Sequence, residues 1–289
     1  MLKINILCPL KNINKRCKCF FFIADETFQV EKDFESCVFS SYQISCTKYS
    51  VLNTFYSLLN TFFMEIQRAD KTALVFGSTG MVGGFVLQFL LASKAYSKVV
   101  AFTRGPLSIS DSKLQNVVID FEKLDTYKDL IKGHDLFLCL GTTIKKAGSQ
   151  EAFMRVDFDY PYQIASIAKS NGVSQLLLCS AVDADANSKI FYNRVKGKLE
   201  DEVKKMHFWA VHIFQPSLLL GERNESRFGE KIAIVLSRGL DKIMGGLLSK
   251  YRPVEGEIVA RAMVSAAAQV GEKATGIHVY PSHELSKII

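Results

Sequence analysis

The chain has 289 residues, of which 48% are hydrophobic and 22% are charged, a composition typical of a globular protein. Its net charge of +7 is spread along the sequence, with no basic run interleaved with aromatic residues, which argues against a nucleic-acid-binding protein. No apolar run reaches the ~20 residues that a membrane-spanning helix needs, so we expect no membrane span. The length suits one large α/β domain with a tail, or two small domains.

The cysteines indicate a reducing compartment. Most of the seven precede residue 50, namely Cys8, Cys17, Cys19, Cys37 and Cys46. Cys17 and Cys19 have no second pair at metal-ligand spacing, so we predict no metal site. Cys139 and Cys179 lie inside apolar, strand-like runs, where buried free thiols are expected. We therefore expect no disulfide framework and a cytoplasmic location.

The first 70 residues differ from the rest because they contain no glycine, although the chain has 18. They also show no sustained periodicity of a strand or a helix. Residues 1–19 carry lysine and arginine but no acid, a bias of targeting peptides, without the arginine and serine richness of such peptides. We predict that residues 1–70 form a poorly ordered extension. Either Met64 is the biological start, or the upstream residues form a targeting or interaction segment.

The stretch ALVFGSTGMVGGFVLQFLL, residues 73–91, predicts a strand, a glycine turn and a helix. Gly77, Gly80 and Gly83 follow the spacing G-x-x-G-x-x-G. In a dinucleotide-binding turn these glycines permit the tight turn, the approach of the pyrophosphate and close packing of the helix on the strand. The N–H groups at the helix start would then face the phosphates. The alternative is a strand–helix turn without a ligand, which the flanking strand and helix make less favourable.

Apolar runs alternate with helical patterns along the rest of the chain, which predicts an α/β fold with a doubly wound parallel sheet. We predict further strands at 98–103, 117–119, 136–140, 175–179, 210–214 and 276–280, and helices at 152–170, 190–206 and 255–270. Ligands of such sheets bind beyond the carboxyl ends of the strands.

Arg104 follows the second strand, where NAD-specific folds usually have an acid. An arginine there can pair with a 2′-phosphate, which favours NADP over the alternative of a solvated loop arginine. Asp120 and Phe121 follow the third strand and are candidates to contact the adenine. The Gly141-Thr142-Thr143 turn follows the fourth strand, where it can approach a cofactor ribose.

Tyr192 and Lys196 are four residues apart on a predicted helix and therefore share one face. Ser180 ends the preceding predicted strand. Reduction of a carbonyl leaves an alkoxide that needs a proton, and a tyrosine with a pKa near ~10 supplies it more easily when a lysine ammonium favours the phenolate. The serine would orient the carbonyl oxygen. The alternative is an ordinary pair on a helix surface.

These features resemble the short-chain dehydrogenase/reductase superfamily. The stretches GSTGMVGGFVLQFLL, VIDFEKLD, LGTTIKKAGS, VDFDY, KGKLEDEV and QPSLLLGERNESRFGE are similar to its atypical group of Tat-interacting-protein-type NADPH-binding proteins and bacterial oxidoreductases, over roughly residues 71–280. The resemblance implies an NADP(H)-binding Rossmann fold over residues 71–289, with a small substrate region from about residue 217, and the catalytic set Ser180, Tyr192 and Lys196. The expected cofactor-binding residues are Gly77, Ser78, Thr79, Gly80, Met81, Val82, Gly83, Arg104, Asp120, Phe121, Leu140, Gly141, Thr142, Thr143, Tyr192, Lys196 and Pro216.

Two features beyond the sixth strand leave alternatives open. Gln215 stands where the resemblance implies an arginine before Pro-Ser. Arg223 and Arg227 either bind an anionic group of the substrate or pair with the neighbouring acids Glu222, Glu225 and Glu230.

We expect an oxidoreductase that prefers NADPH to NADH and transfers hydride to or from a small carbonyl or alcohol, alone, as a homodimer or with a partner protein. The alternative is an NADPH-binding sensor or scaffold that regulates a partner without turnover. A semialdehyde dehydrogenase with a catalytic cysteine is disfavoured, because Cys139 and Cys179 lie within strands without a histidine nearby in sequence.

Overall fold

The computed structural model describes residues 70–220, 250–269 and 275–289, together with four short strands ahead of residue 45. By its internal contacts the chain divides into two units, Met1–Phe63 and Met64–Ile289. In the first unit, β1 (Leu2–Lys3) pairs antiparallel with β4 (Gln43–Ile44). The strands β2 (Cys17–Ile23) and β3 (Glu26–Lys32) also pair antiparallel. The rest of the predicted extension up to residue 69 lies outside the described residues.

The second unit is built on a parallel sheet of seven strands. These are β5 (Lys71–Phe76), β6 (Tyr96–Thr103), β7 (Leu114–Val118), β8 (Asp135–Leu138), β9 (Gln175–Cys179), β10 (Ala210–Gln215) and β13 (Gly276–Pro281). Their order across the sheet is β13-β10-β9-β8-β5-β6-β7. The chain winds outward from β5 in both directions, so the predicted doubly wound parallel sheet is confirmed. A short parallel pair, β11 (Leu219–Leu220) with β12 (Val254–Glu255), follows β10.

Helices cover both faces of the sheet. They are α1 (Met81–Ala92), α2 (Ile144–Ala147), α3 (Gln150–Met154), α4 (Tyr160–Ser170), α5 (Phe191–Lys204) and α6 (Gly256–Ala267), with 3₁₀ helices at Phe121–Leu130 and Ser282–Lys287. One core cluster joins the sheet to α1 and α6 through side chains such as Val86, Leu90 and Met263. The other joins it to α4 and α5 through side chains such as Ile164 and Leu199. Strands buried on both faces account for the uninterrupted apolar runs of the sequence.

Two of the elements whose bounds differ from prediction do so for an identifiable physical reason. The helix predicted at 152–170 begins at Gln150 and contains a π turn, Arg155–Asp159. Pro161 follows this turn and has no N–H to donate to the carbonyl four residues earlier, so a regular α-helix cannot continue through it. The strand predicted at 117–119 begins at Leu114, because Asn116 satisfies neighbouring backbone groups and so makes a polar residue compatible with the strand.

None of the helices in the described ranges combines the length and the hydropathy of a membrane span. Among these same residues there is also no group of three or more histidines, cysteines, aspartates or glutamates arranged to hold a metal ion.

Candidate functional site

The glycine turn joins β5 to α1 in a space that admits no side chain. Gly77 has a φ of 88°, in the left-handed region that favours glycine. A Cβ at Gly77 would lie 2.4 Å from the carbonyl oxygen of Cys139, and a Cβ at Gly83 would lie 2.1 Å from the carbonyl oxygen of Gly77. The N–H of Gly80 donates to the Gly77 carbonyl over 2.9 Å and closes the turn. The first turn of α1 is thereby held against the carboxyl end of β5.

The polar groups of this turn fit a pyrophosphate. Gly80, at the N-cap of α1, offers no side chain to the free N–H groups of the first helical turn, and that turn contains no acid. Within the described part of the chain, the Ser78 hydroxyl is buried without a hydrogen-bond partner. Buried polar groups without partners are rare in proteins and are often satisfied by a ligand or water. A phosphate at this helix start would accept from the hydroxyl and from the backbone N–H groups.

Gly83→Ala should therefore abolish binding of a dinucleotide and lower the thermal stability, because its methyl group would overlap the Gly77 carbonyl. Gly84→Ala is the matched control in the same helix, since a Cβ there meets its nearest atom, the Ser78 carbonyl oxygen, at an ordinary 3.5 Å. The control should bind normally and gain up to ~1 kcal/mol of stability from the higher helix propensity of alanine. Calorimetric titration with NADPH and thermal melts would check both. Equal behaviour of the two variants would contradict this account of the turn.

The candidates after β6 and β7 lie at the same edge of the sheet as the glycine turn. Arg104 is exposed and directly follows β6. Asp120 accepts a hydrogen bond from the N–H of Glu122 over 3.0 Å and so caps the following 3₁₀ helix. The ring of Phe121 contacts Phe76, at 6.4 Å between centroids, and Tyr160, at 5.4 Å. Asp120 and Phe121 thus both have local structural roles at the predicted adenine side.

Lys196 is buried at the carboxyl end of the sheet in an ion pair with Asp157. Its Nζ lies 2.7 Å from Oδ1 of Asp157, and Oδ2 of that carboxylate accepts from the N–H of Thr142 over 2.8 Å. Burial alone would lower the pKa of Lys196, but the Asp157 carboxylate and the nearby Tyr192 outweigh it and raise that pKa above its ordinary value. The lysine is therefore held as a cation. A Cβ at Gly141 would lie 3.7 Å from the Lys196 Nζ, so the predicted Gly-Thr-Thr turn lies on this ion pair.

Tyr192 lies one helical turn before Lys196 on α5, close enough for electrostatic coupling between the two side chains. Its ring packs against Phe153 of α3, with 5.6 Å between centroids. The structure therefore brings together two members of the predicted catalytic set beside the Gly141 turn.

Ser180 directly follows β9, and its N–H donates to the Phe214 carbonyl of β10 over 2.8 Å. Its hydroxyl donates to Oε1 of Glu200 over 2.6 Å, and both residues are buried. The amide of Gln215 donates to both carboxylate oxygens of Glu200, at 3.0 and 3.1 Å. Pro216 follows, and its carbonyl accepts from the N–H of Val182, which fixes the chain just beyond the serine. Gln215 thus contacts the site through Glu200.

Two residues of this site, Asp157 and Glu200, were not predicted from the sequence. Glu200 carried a usable signal, because it lies four residues after Lys196 and so shares its helix face. The only sequence signal for Asp157 was its place in the VDFDY stretch, because its partners Lys196 and Thr142 are distant in sequence. Arg223 and Arg227, with the acids around them, lie outside the described residues.

Comparison with known proteins identifies the family. A family model described as NAD(P)H-binding matches residues 77–215. Protein HTATIP2 of Rattus norvegicus is 38% identical over 173 residues, which are 58% of this chain and 71% of the relative. The mitochondrial protein FMP52-1 of Scheffersomyces stipitis is 31% identical over 226 residues, which are 75% of this chain and 98% of the relative.

The chain belongs to the NAD(P)H-binding family that includes HTATIP2 and FMP52. Solved structures share its fold. The Bordetella bronchiseptica enzyme WbmH in complex with NAD⁺ matches with a TM-score of 0.57 at 17% identity, over 73% of this chain and 76% of that one. A short-chain dehydrogenase family protein of Francisella tularensis matches with a TM-score of 0.52 at 16% identity, over 74% and 98%. The chain is thus an NAD(P)H-binding protein with a Rossmann-like α/β fold.

The expected cytoplasmic location was wrong. The FMP52 relatives from Scheffersomyces stipitis, Meyerozyma guilliermondii and Eremothecium gossypii are named mitochondrial, which points away from a plainly cytoplasmic family. The prediction relied on free cysteines, which indicate a reducing environment but do not distinguish one reducing compartment from another.

Proposed function

We propose that this member of the HTATIP2 and FMP52 family is an NADP(H)-dependent oxidoreductase acting on a small carbonyl or alcohol. The observation that carries the proposal is the buried Lys196 cation, coupled to Tyr192 and lying beside the Gly141 turn at the carboxyl edge of the sheet. Titratable groups perturbed by burial and by a specific charge partner cluster at functional sites. A helix that only packed on the sheet would gain little from a buried lysine, whose desolvation is costly.

The cofactor, when bound, would supply or accept the hydride at its nicotinamide ring. The free backbone N–H groups at the start of α1 and the Ser78 hydroxyl would hold its pyrophosphate. Tyr192 would give a proton to the substrate oxygen during reduction and take it back during oxidation. Ser180 would orient that oxygen by a hydrogen bond.

Lys196 would act on both tyrosine and ribose. An ammonium has three N–H donors, so its contact with Asp157 leaves donors for a ribose hydroxyl. Its positive charge favours the phenolate form of Tyr192. Asp157 would hold the lysine in place without neutralising it, because the carboxylate favours the protonated ammonium.

Arg104 would select the cofactor by pairing with the 2′-phosphate of NADPH. Arg104→Ala should weaken NADPH binding about 10- to 100-fold, which corresponds to the loss of ~1.5–3 kcal/mol of charge-assisted hydrogen bonding. NADH binding should barely change, because NADH lacks that phosphate. Lys132→Ala is the control. Lys132 is an exposed cation that pairs with Asp129 and precedes the amino end of β8, at the edge of the sheet opposite the glycine turn. Its substitution should leave both affinities unchanged. Calorimetric titration that finds equal losses for NADPH and NADH in Arg104→Ala would refute the NADP assignment.

The competing function is a sensor that binds NADPH and regulates a partner protein. Both functions need the glycine turn, but only the oxidoreductase needs Ser180 and Tyr192 at the reacting atoms. Oxidation of NADPH in the presence of a panel of aldehydes and ketones tests the proposal, with NADPH affinity measured in parallel. We expect turnover with at least one carbonyl class. Tight binding of NADPH without turnover on the whole panel would favour the sensor.

A further inference from the structure

The hydrogen bond between Ser180 and Glu200 occupies the serine proton. The two oxygens are 2.6 Å apart, a length typical of a hydroxyl donating to a carboxylate. Ser180 is 6% exposed and Glu200 is 3% exposed. An ionised carboxylate can only accept hydrogen bonds. While Glu200 is ionised, the Ser180 proton is therefore engaged and cannot be donated to a carbonyl oxygen.

The other partners of Glu200 give its carboxylate little positive charge. Gln215 supplies amide hydrogen bonds at 3.0 and 3.1 Å but is neutral. Lys204, one turn further along α5, lies 3.7 Å from Oε2 with its side chain 32% exposed, and Asp201 opposes it with a negative charge. Burial of the carboxyl is the largest influence and raises the pKa of Glu200, although Ser180, Gln215 and Lys204 each lower it.

Two lysines of the surrounding helices have other partners. Lys196, one turn before Glu200 on the same helix, is paired with Asp157 of the π turn. Lys169 of α4 donates to the carbonyl of His207. The strands β9 and β10 present Ser180 and Gln215, which are neutral. An arginine in place of Gln215 would add a full charge at this point and favour the ionised form of Glu200.

We propose that Glu200 is a positioning residue that sets the direction of the Ser180 proton. Protonated Glu200 donates to the Ser180 oxygen and frees the serine proton for a substrate carbonyl, whereas ionised Glu200 holds that proton. Glu200 takes its proton from solvent, and no covalent bond changes. The inference rests on the proposed oxidoreductase function, in which Ser180 donates to the substrate. Because Gln215 is neutral, it does not hold the Glu200 carboxyl in its ionised form, and that carboxyl can gain or lose a proton.

The pH profile of carbonyl reduction measures this role. In the wild type, kcat/KM should be highest with Glu200 protonated and fall as the pH rises through its raised pKa, by at most about tenfold per pH unit. Glu200→Gln should lack this limb, because its amide can donate to the Ser180 oxygen at every pH. Gln215→Arg should move the Glu200 limb to lower pH by about 1 unit or more. Glu202→Gln, at a partly exposed glutamate of the same helix, should reproduce the wild-type profile.

Infrared difference spectroscopy of the protein without substrate gives a readout independent of turnover. We expect a protonated-carboxyl band that titrates in the wild type and is absent in Glu200→Gln. Ser180→Ala should move the midpoint of the Glu200 band to higher pH, because the carboxylate loses a hydrogen-bond donor. Gln215→Arg should move that midpoint to lower pH, because it adds a positive charge. A midpoint unaffected by Ser180→Ala, or a reduction profile whose limb survives in Glu200→Gln, would overturn the proposal. If the wild type reduces no carbonyl, the proposed function fails, and the infrared midpoints alone decide whether Ser180 and Glu200 are coupled. If Glu200→Gln does not fold, Gln215→Arg and Ser180→Ala decide.

Discussion

Tyr192→Phe should lower the turnover of a carbonyl substrate at least ~10²-fold, the usual contribution of general acid–base catalysis. The substitution keeps the ring, which packs at 5.6 Å from Phe153, and removes only the hydroxyl. The ion pair between Lys196 and Asp157 stays intact, so the fold and the site for the ribose should be preserved. Steady-state kinetics should therefore show a loss of kcat, while the dissociation constant for NADPH, measured by titration, barely changes.

The matched control for this substitution is Tyr162→Phe. Tyr162 is 39% exposed on α4, where it stacks on Phe158 with 5.9 Å between centroids, so its hydroxyl has no part in the proposed chemistry. The control should keep full turnover. Near-normal turnover in Tyr192→Phe would remove that hydroxyl from the mechanism. Lys196→Ala is less informative, since it would impair turnover and cofactor binding together and also leave the Asp157 carboxylate buried without its cation.

Asp157→Ala should lower the free energy of unfolding by about 3–5 kcal/mol, the cost of leaving a buried charge without its partner. The Lys196 side chain is 5% exposed and that of Asp157 is fully buried, so water cannot replace the lost carboxylate easily. The N–H of Thr142 also loses its acceptor. Urea unfolding measures the loss. Asp129→Ala, at an exposed pair with Lys132, is the control and should cost ~1 kcal/mol or less. A cost for Asp157→Ala no larger than that of the control would contradict the buried ion pair.

The same variant should change how stability depends on pH. Without Asp157, the burial that opposes the charge of Lys196 prevails, so the folded-state pKa of the lysine falls below the unfolded value of ~10.4. The unfolded state then binds more protons than the folded state between these two values. Stability of Asp157→Ala should therefore rise with pH in that window relative to the wild type. Unfolding curves at several pH values would reveal this slope.

The fold was predictable because its signals are local. The central parallel strands are buried on both faces and appear in the sequence as continuous apolar runs, as in β5 and β8. The Gly77 turn was predictable for the same reason, since strand, glycines and helix are consecutive. Tyr192 and Lys196 share one helix, so their spacing alone placed them on one face.

The charge partners of the site were not predictable because they join distant parts of the chain. Asp157 reaches Lys196 from a π turn that Pro161 enforces, and the apolar pattern of the sequence gives no indication of that turn. Glu200 lies on α5 and Ser180 follows β9, and these two elements come into contact only in the folded protein. The departure at Gln215 was visible in the sequence, but its consequence was not, since the partner of that side chain is Glu200.

Transfer of an isotopic label from the cofactor tests whether this site transfers hydride. NADPH carrying deuterium at C4 of the nicotinamide, on each face in turn, is incubated with the protein and the best carbonyl substrate, and the alcohol product is analysed by mass spectrometry. We expect deuterium from one face to appear on the carbinol carbon, and Tyr192→Phe to slow its appearance by the same factor as turnover. Alcohol that forms without the label, or tight NADPH binding with no alcohol from any carbonyl, would contradict hydride transfer at this site.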